Sequence, residues 1–142
     1  MPKIAGLDVL FIAGFGPITR EPTVSVALYR DTLGLPLATM DGNPTYFHGE
    51  GIDGVRHFAM WPLAQAAQSC FGSDDWPADI PVPQAWIEFD VEDVASAAKV
   101  LQAQGYKLLV AARKEPWGQT VSRFITPEGL LAAVTHTPWM RS

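Results

Sequence analysis

Two stretches of the chain follow the same order of elements, strand, helix and three further strands, and this repetition limits the fold more than any single residue does. In the first half, "LDVLFIAGFG" (7–16) has the apolar, β-branched character of a strand. "TVSVALYRDTLG" (23–34) follows with helical spacing that predicts Val24, Ala27, Leu28 and Leu33 on one inward face, and Gly34 stands where a left-handed helix stop belongs. Shorter strands are predicted at 36–40, 45–48 and 55–61. The second half repeats the order with a strand at 85–91 and a helix in "EDVASAAKVLQAQG" (92–105). Val94, Ala97, Ala98 and Leu101 face inward on that helix, Gly105 ends it, and strands at 106–112, 119–126 and 130–137 complete the set. The expectation is an α+β chain of two βαβββ modules, 1–63 and 84–142.

The segment between them, 64–83, contains "AQAAQSCFGSDDWPADIPVP". Gly72, Pro77, Pro81 and Pro83 predict a short helical turn and then an irregular linker, with Trp76 as its anchor. Its length exceeds the usual connection inside one compact domain, which suits a junction between modules. Charge narrows the partners: a net charge of -5 with ten Lys plus Arg spread along 142 residues gives no basic stripe for phosphate backbones, so nucleic acid is excluded as a ligand. Asp8 interrupts the apolar N-terminal run, which reads as a first strand and not as a leader peptide. No apolar run approaches the roughly eighteen residues a bilayer span needs. With the single Cys70 unable to form an intramolecular disulfide, the expected location is the cytoplasm, away from membranes. Cys70 has no visible base partner, which argues against a nucleophilic role.

"PQAWIEFDVEDV" (83–94) holds an anomaly. Alternation puts Ile87, Phe89 and Val91 on a core face, leaving Trp86 at the head of a row with Glu88 and Asp90 that would ordinarily meet water. An indole there is either core, a dimer contact or a ligand platform.

Three motifs in order, "ALYRDTLGL" (27–35), "WIEFDVEDV" (86–94) and "EPWGQTVSRFITPEGLLAAV" (115–134), resemble the glyoxalase/bleomycin-resistance/dioxygenase superfamily, also called vicinal oxygen chelate proteins, over nearly the whole chain. The resemblance implies curved mixed sheets around a concave ligand cavity, helices outside, and a homodimer with shared sites. Enzymes of that family hold a divalent metal with His, Gln or Glu from four strands, and the corresponding positions can be checked here. The strand-five His is Trp86, the last-strand Glu is Ala133, and the nearby first-strand residues Leu10, Phe11 and Ala13 offer no ligand. Only His57 survives, so neither a metal nor any other cofactor is expected, and no catalytic residue is assigned. His48 and His136 read as surface or satisfied polar residues.

The position of Trp86 in that family places it on the concave face, and the even spacing of His57 and Trp61 lets both join it. The expected ligand-binding set is Phe11, Phe15, Tyr46, His57, Trp61, Trp86, Glu88, Trp117 and Arg123, with Glu88, His57 and Arg123 orienting polar groups. Glu88 reads otherwise as an exposed strand carboxylate or as one that neutralises a nearby Arg. On this reading Trp86→Ala weakens binding and leaves stability nearly intact. The expected function is non-catalytic sequestration of a bulky aromatic natural product, such as a planar polyketide of the anthraquinone-fused enediyne type. The alternative is a lyase or dioxygenase with an atypical metal site, or a metal-free enzyme using Glu88 and His57 as acid and base.

Overall fold

Both repeat helices end on a glycine in the left-handed region, Gly34 at φ 76° and Gly105 at φ 94°, a conformation that strains any residue with a side chain. The computed structural model, which describes residues 4–141, builds the repeat around these stops. In the first module β1 (Val9–Thr19) leads into α1 (Pro22–Val26), then β2 (Ala38–Met40), β3 (Asn43–Gly49) and β4 (Phe58–Pro62). In the second, β5 (Ala85–Val91) leads into α3 (Val94–Ala103), then β6 (Val110–Lys114), β7 (Thr120–Ile125) and β8 (Leu131–His136). Hydrogen bonding orders the strands β2-β3-β4-β1 in one and β5-β8-β7-β6 in the other, so each opening strand lies beside the last strand of its own module. The sheet is mixed, since β1 runs parallel to β4 while β2–β3 and β3–β4 are antiparallel. This is the α+β, doubled βαβββ architecture the sequence predicts.

Two compact units divide the chain inside β1 and β5: one is Gly14–Trp86, and the other joins the residues up to Ala13 to those from Ile87 onward. The first unit includes α2 (Leu63–Phe71), a nine-residue helix in place of the predicted short turn. An amide pair fixes it to β3, Asn43 Nδ2 donating to Gln65 Oε1 at 2.9 Å and Gln65 Nε2 donating to Asn43 Oδ1 at 2.8 Å. After α2, the Trp76 indole N–H donates to the Ile80 and Pro81 carbonyls and its ring meets Phe71 edge-on, which anchors the irregular segment. No helix among the described residues is long and apolar enough to cross a membrane.

The first unit's core is Val26, Leu37, Phe58 and Met60, with Tyr29, Leu35, Phe47, Ile52 and Val55 packed on it. The predicted inward face of the first helix is therefore wrong: Val24, Ala27, Leu28 and Leu33 are exposed, and Val26 and Tyr29 turn inward. Val24 is already turned outward within α1, and from Ala27 onward a π-type turn over Ala27–Thr32, continued by a five-residue-spaced bond from Leu33 N–H to the Leu28 carbonyl, displaces the later positions. Such a wide turn breaks the 3.6-residue period on which the prediction relied.

Regular geometry serves the second unit better. Val94, Ala97 and Leu101 pack with Val91 and Val134, and Ala98 is also buried. Each buried Val or Leu contributes about 1.5–3 kcal/mol relative to exposure. On β5, Asp90 was expected to face water but is fully buried, its carboxylate accepting from Thr137 N–H, Thr137 Oγ1 and the Arg141 guanidinium. A buried carboxylate persists only when its lone pairs are met in this way.

Asp93 caps α3 by accepting the Ser96 N–H at 3.1 Å, and that bond holds its carboxyl below the ordinary value of 3.8. The stabilisation is present above pH 3.8 and is lost as pH falls through the lower folded value. Asp93→Ala should therefore lower the thermal midpoint at pH 7 by an amount that shrinks on acidification below 3.8, whereas Asp93→Asn keeps a cap that does not titrate. A deficit independent of pH would contradict this account.

Candidate functional site

The register of the β3–β4 hairpin decides which side chains meet. Phe47 pairs with Met60, His48 with Ala59 and Gly49 with Phe58. Because side chains alternate, Phe47, Phe58 and Met60 enter the core, while Tyr46 and His48 share the opposite face with Ala59 and Trp61. One step beyond the paired residues, Glu50 and His57 extend the same face.

These residues touch. Tyr46 Oη lies 2.8 Å from His57 Nε2, and His48 Nδ1 is 2.9 Å from Glu50 Oε2, which is itself 3.7 Å from His57 Nδ1. The Tyr46, His48 and His57 rings lie within 22–29° of parallel, with centroids 5.6–6.2 Å apart. Side-chain exposure is 19% for His48, 20% for His57 and 53% for Glu50, so solvent reaches the cluster.

Behind His57 the packing is tight. A Cβ on Gly14 would stand 2.7 Å from the His57 carbonyl oxygen and 3.0 Å from Trp86 Cη2, and one on Gly16 would stand 1.9 Å from the Ala59 carbonyl oxygen. Only glycine lets β1 approach β4 this closely. Trp86 closes the arrangement: its Nε1–H donates to the Ala59 carbonyl at 3.0 Å, and its ring centroid lies 6.1 Å from that of His57 and 6.3 Å, edge-on, from that of Trp61. Even spacing paired His57 with Trp61 and the family resemblance placed Trp86, and the three rings are neighbours in the structure.

Trp86 is only 4% exposed, however, with its indole N–H satisfied inside the protein. Its first role is to back His57, and its ring offers an outside molecule little free surface. Phe15 requires a plain correction. It pairs with Phe58 and meets that ring edge-on at 5.8 Å, which puts it on the core side of the sheet, opposite Tyr46 and His57. The glycines occupy the site-facing positions of β1 instead.

The remaining expected residues belong to the other unit. Phe11 is partly buried in its half of β1. Glu88 accepts from Gln119 Nε2 at Oε1 (3.0 Å) and from Arg123 Nη1 at Oε2 (3.0 Å), with the Arg123 side chain only 3% exposed. Gln119 also donates to Thr135 Oγ1 and accepts from the exposed Trp117 indole, so one hydrogen-bonded chain links Trp117, Gln119, Glu88 and Arg123. Both Glu88 oxygens are engaged, which fits the Arg-neutralising reading and gives the carboxylate a positioning role.

The metal positions implied by the family resemblance do not fit a metal. Trp86 and Ala133 cannot ligate, and Ala133 lies opposite Arg123 on β7, whose guanidinium pairs with Glu88. The structure instead gathers His48, Glu50 and His57, whose ligand atoms all lie within 4.8 Å of one another. His48 was read as a surface or satisfied polar residue, which its bond to Glu50 fits, and Glu50 was not singled out in the sequence. Their even spacing at the end of a strand was the available signal, but His57 joins them only through the hairpin register.

The family model for the "Glyoxalase/Bleomycin resistance protein/Dioxygenase superfamily" matches residues 15–134. No curated protein matches the chain. Among solved structures, a superfamily member from Vibrio splendidus 12B01 has a TM-score of 0.57 at 15% identity, covering 92% of this chain and 99% of that one. Methylmalonyl-CoA epimerase from Mycobacterium tuberculosis has a TM-score of 0.59 at 16% identity, with 97% and 95% covered. A Streptomyces coelicolor methylmalonyl-CoA epimerase in complex with 2-nitronate-propionyl-CoA gives 0.58 at 16%, with 95% and 99% covered. At these identities the likeness is one of fold.

Truncating Trp86 removes a buried indole and its hydrogen bond, so Trp86→Ala should destabilise by about 3–5 kcal/mol. Urea unfolding measures this; an unchanged midpoint would restore the view of Trp86 as a ligand platform without a structural role.

Proposed function

Because the chain belongs to the glyoxalase/bleomycin resistance protein/dioxygenase superfamily, we propose that it is a binding protein whose Tyr46–His48–His57 face takes up a bulky aromatic natural product and sequesters it, as a homodimer. The observation that carries this reading is the set of near-parallel rings on one solvent-reached face, with a carboxylate at its margin. Flat rings supply contact area and stacking, while imidazole nitrogens, the Tyr46 hydroxyl and Glu50 supply the few polar groups that fix orientation.

Magnitudes select the ligand class. Each Å² of apolar surface removed from water contributes about 25 cal/mol. Association costs about 4–15 kcal/mol, so a single small ring would not bind and a fused polycycle with oxygen substituents is favoured. A planar polyketide of the anthraquinone-fused type meets both conditions. Retaining such a compound protects the cell that makes or meets it.

A second reading, an enzyme of the same superfamily with an atypical metal site, is favoured by the His48–Glu50–His57 cluster. The two readings separate in one assay, since a binder returns its ligand unaltered and an enzyme does not.

Titration with a soluble anthraquinone, followed by tryptophan fluorescence, should show saturable quenching because Trp61 and Trp86 lie beside the face. Tyr46→Ala should weaken binding at least tenfold, or about 1.4 kcal/mol. Undiminished affinity in that variant would reject this face as the binding surface.

A further inference from the structure

We propose that His48, Glu50 and His57 form a divalent transition-metal site carried entirely by the β3–β4 hairpin. It shares only His57 with the positions the family resemblance implies, two of which are occupied here by Trp86 and Ala133, and takes its other ligands, His48 and Glu50, from outside them. Two imidazoles and one carboxylate suit an ion that accepts mixed nitrogen and oxygen donors, such as Zn²⁺, Fe²⁺, Co²⁺ or Ni²⁺, better than Mg²⁺ or Ca²⁺.

Geometry supports the assignment at each ligand. Bonds of about 2.0–2.2 Å place neighbouring donor atoms about 3–4 Å apart around a tetrahedral or octahedral ion. Glu50 Oε2 already stands 2.9 Å from His48 Nδ1 and 3.7 Å from His57 Nδ1. Small side-chain rotations at a partly exposed surface open the shorter separation.

The surroundings also favour ligation. At His57, the Tyr46 hydroxyl can accept the Nε2 proton at 2.8 Å, a tautomer that presents the Nδ1 lone pair toward Glu50. This is the arrangement by which an outer hydrogen bond orients a ligating imidazole. The backbone that carries His57 is held by its contact with Gly14 and backed by Trp86, so the ring is positioned without a metal. Three protein ligands leave coordination positions for water or for an oxygen donor arriving from solvent.

The site does not depend on the aromatic-ligand reading, and its test contains no organic ligand, so either proposal can fail alone. The full chain, stripped with EDTA and dialysed, is titrated with Zn²⁺ or Co²⁺ alone by calorimetry and visible absorption. One equivalent should bind, and the Co²⁺ form should show d–d bands. His48→Ala and Glu50→Gln, both on the solvent-reached margin, should each weaken binding at least 100-fold while circular dichroism shows the fold retained. Tyr46→Phe, which removes only the outer hydrogen bond, should weaken it about tenfold. His136→Ala should bind as the unaltered chain does. Absence of stoichiometric binding, or binding that survives both His48→Ala and Glu50→Gln, would overturn the proposal and leave the cluster a simple polar network.

Discussion

The close approach of β1 to β4 at Gly14 and Gly16 is the constraint on which the Tyr46–His57 face of the first module depends. Without side chains there, the β1 backbone comes near the His57 and Ala59 carbonyls, and the Trp86 indole reaches across to hydrogen-bond the second of these. That contact fixes β4 from the site side, while Phe15, Phe58 and Tyr29 pack it from the core side. With both faces held, the β3–β4 register has little freedom. The register alone determines that Tyr46, His48, Glu50 and His57 meet.

The two modules share an architecture and divide the chemistry unequally. In the second, the acidic and basic groups are spent on each other: Glu88 on Arg123 and Gln119, and Asp90 on Thr137 and Arg141. These are well-satisfied networks that specify strand positions. The first module keeps its imidazoles and Glu50 within reach of solvent, where they can take up a ligand or an ion. Belonging to a superfamily that contains enzymes therefore does not locate the chemistry of this chain. Its side chains do, and they point to the hairpin.

Much of this was legible in the sequence wherever local rules act undisturbed. The strand β5, and α3 with its buried face and Gly105 stop, lie where the apolar run, 3.6-residue periodicity and the glycine predict them, although burial along β5 does not alternate as expected. The α1 face was misread from Val24 onward, and beyond Val26 a π-type turn, which residue types do not announce, shifts the phase of the later positions. Trp86 lies beside His57 and Trp61, yet its packing depends on Gly14, seventy-two positions away in sequence, which no local pattern reports. His48 and Glu50 showed the spacing of a shared face. Their value became visible only with His57 in place, across a loop whose length does not by itself define a register.

The claim that the β3–β4 hairpin can hold an ion at His48, Glu50 and His57 is open to a direct test. The most direct measurement is an anomalous difference map, recorded at the cobalt absorption edge, from crystals of the full chain grown with Co²⁺. A single strong peak bounded by His48, Glu50 and His57 is the predicted result. A peak beside Ala133, or no peak at the hairpin in fully loaded crystals, would contradict it.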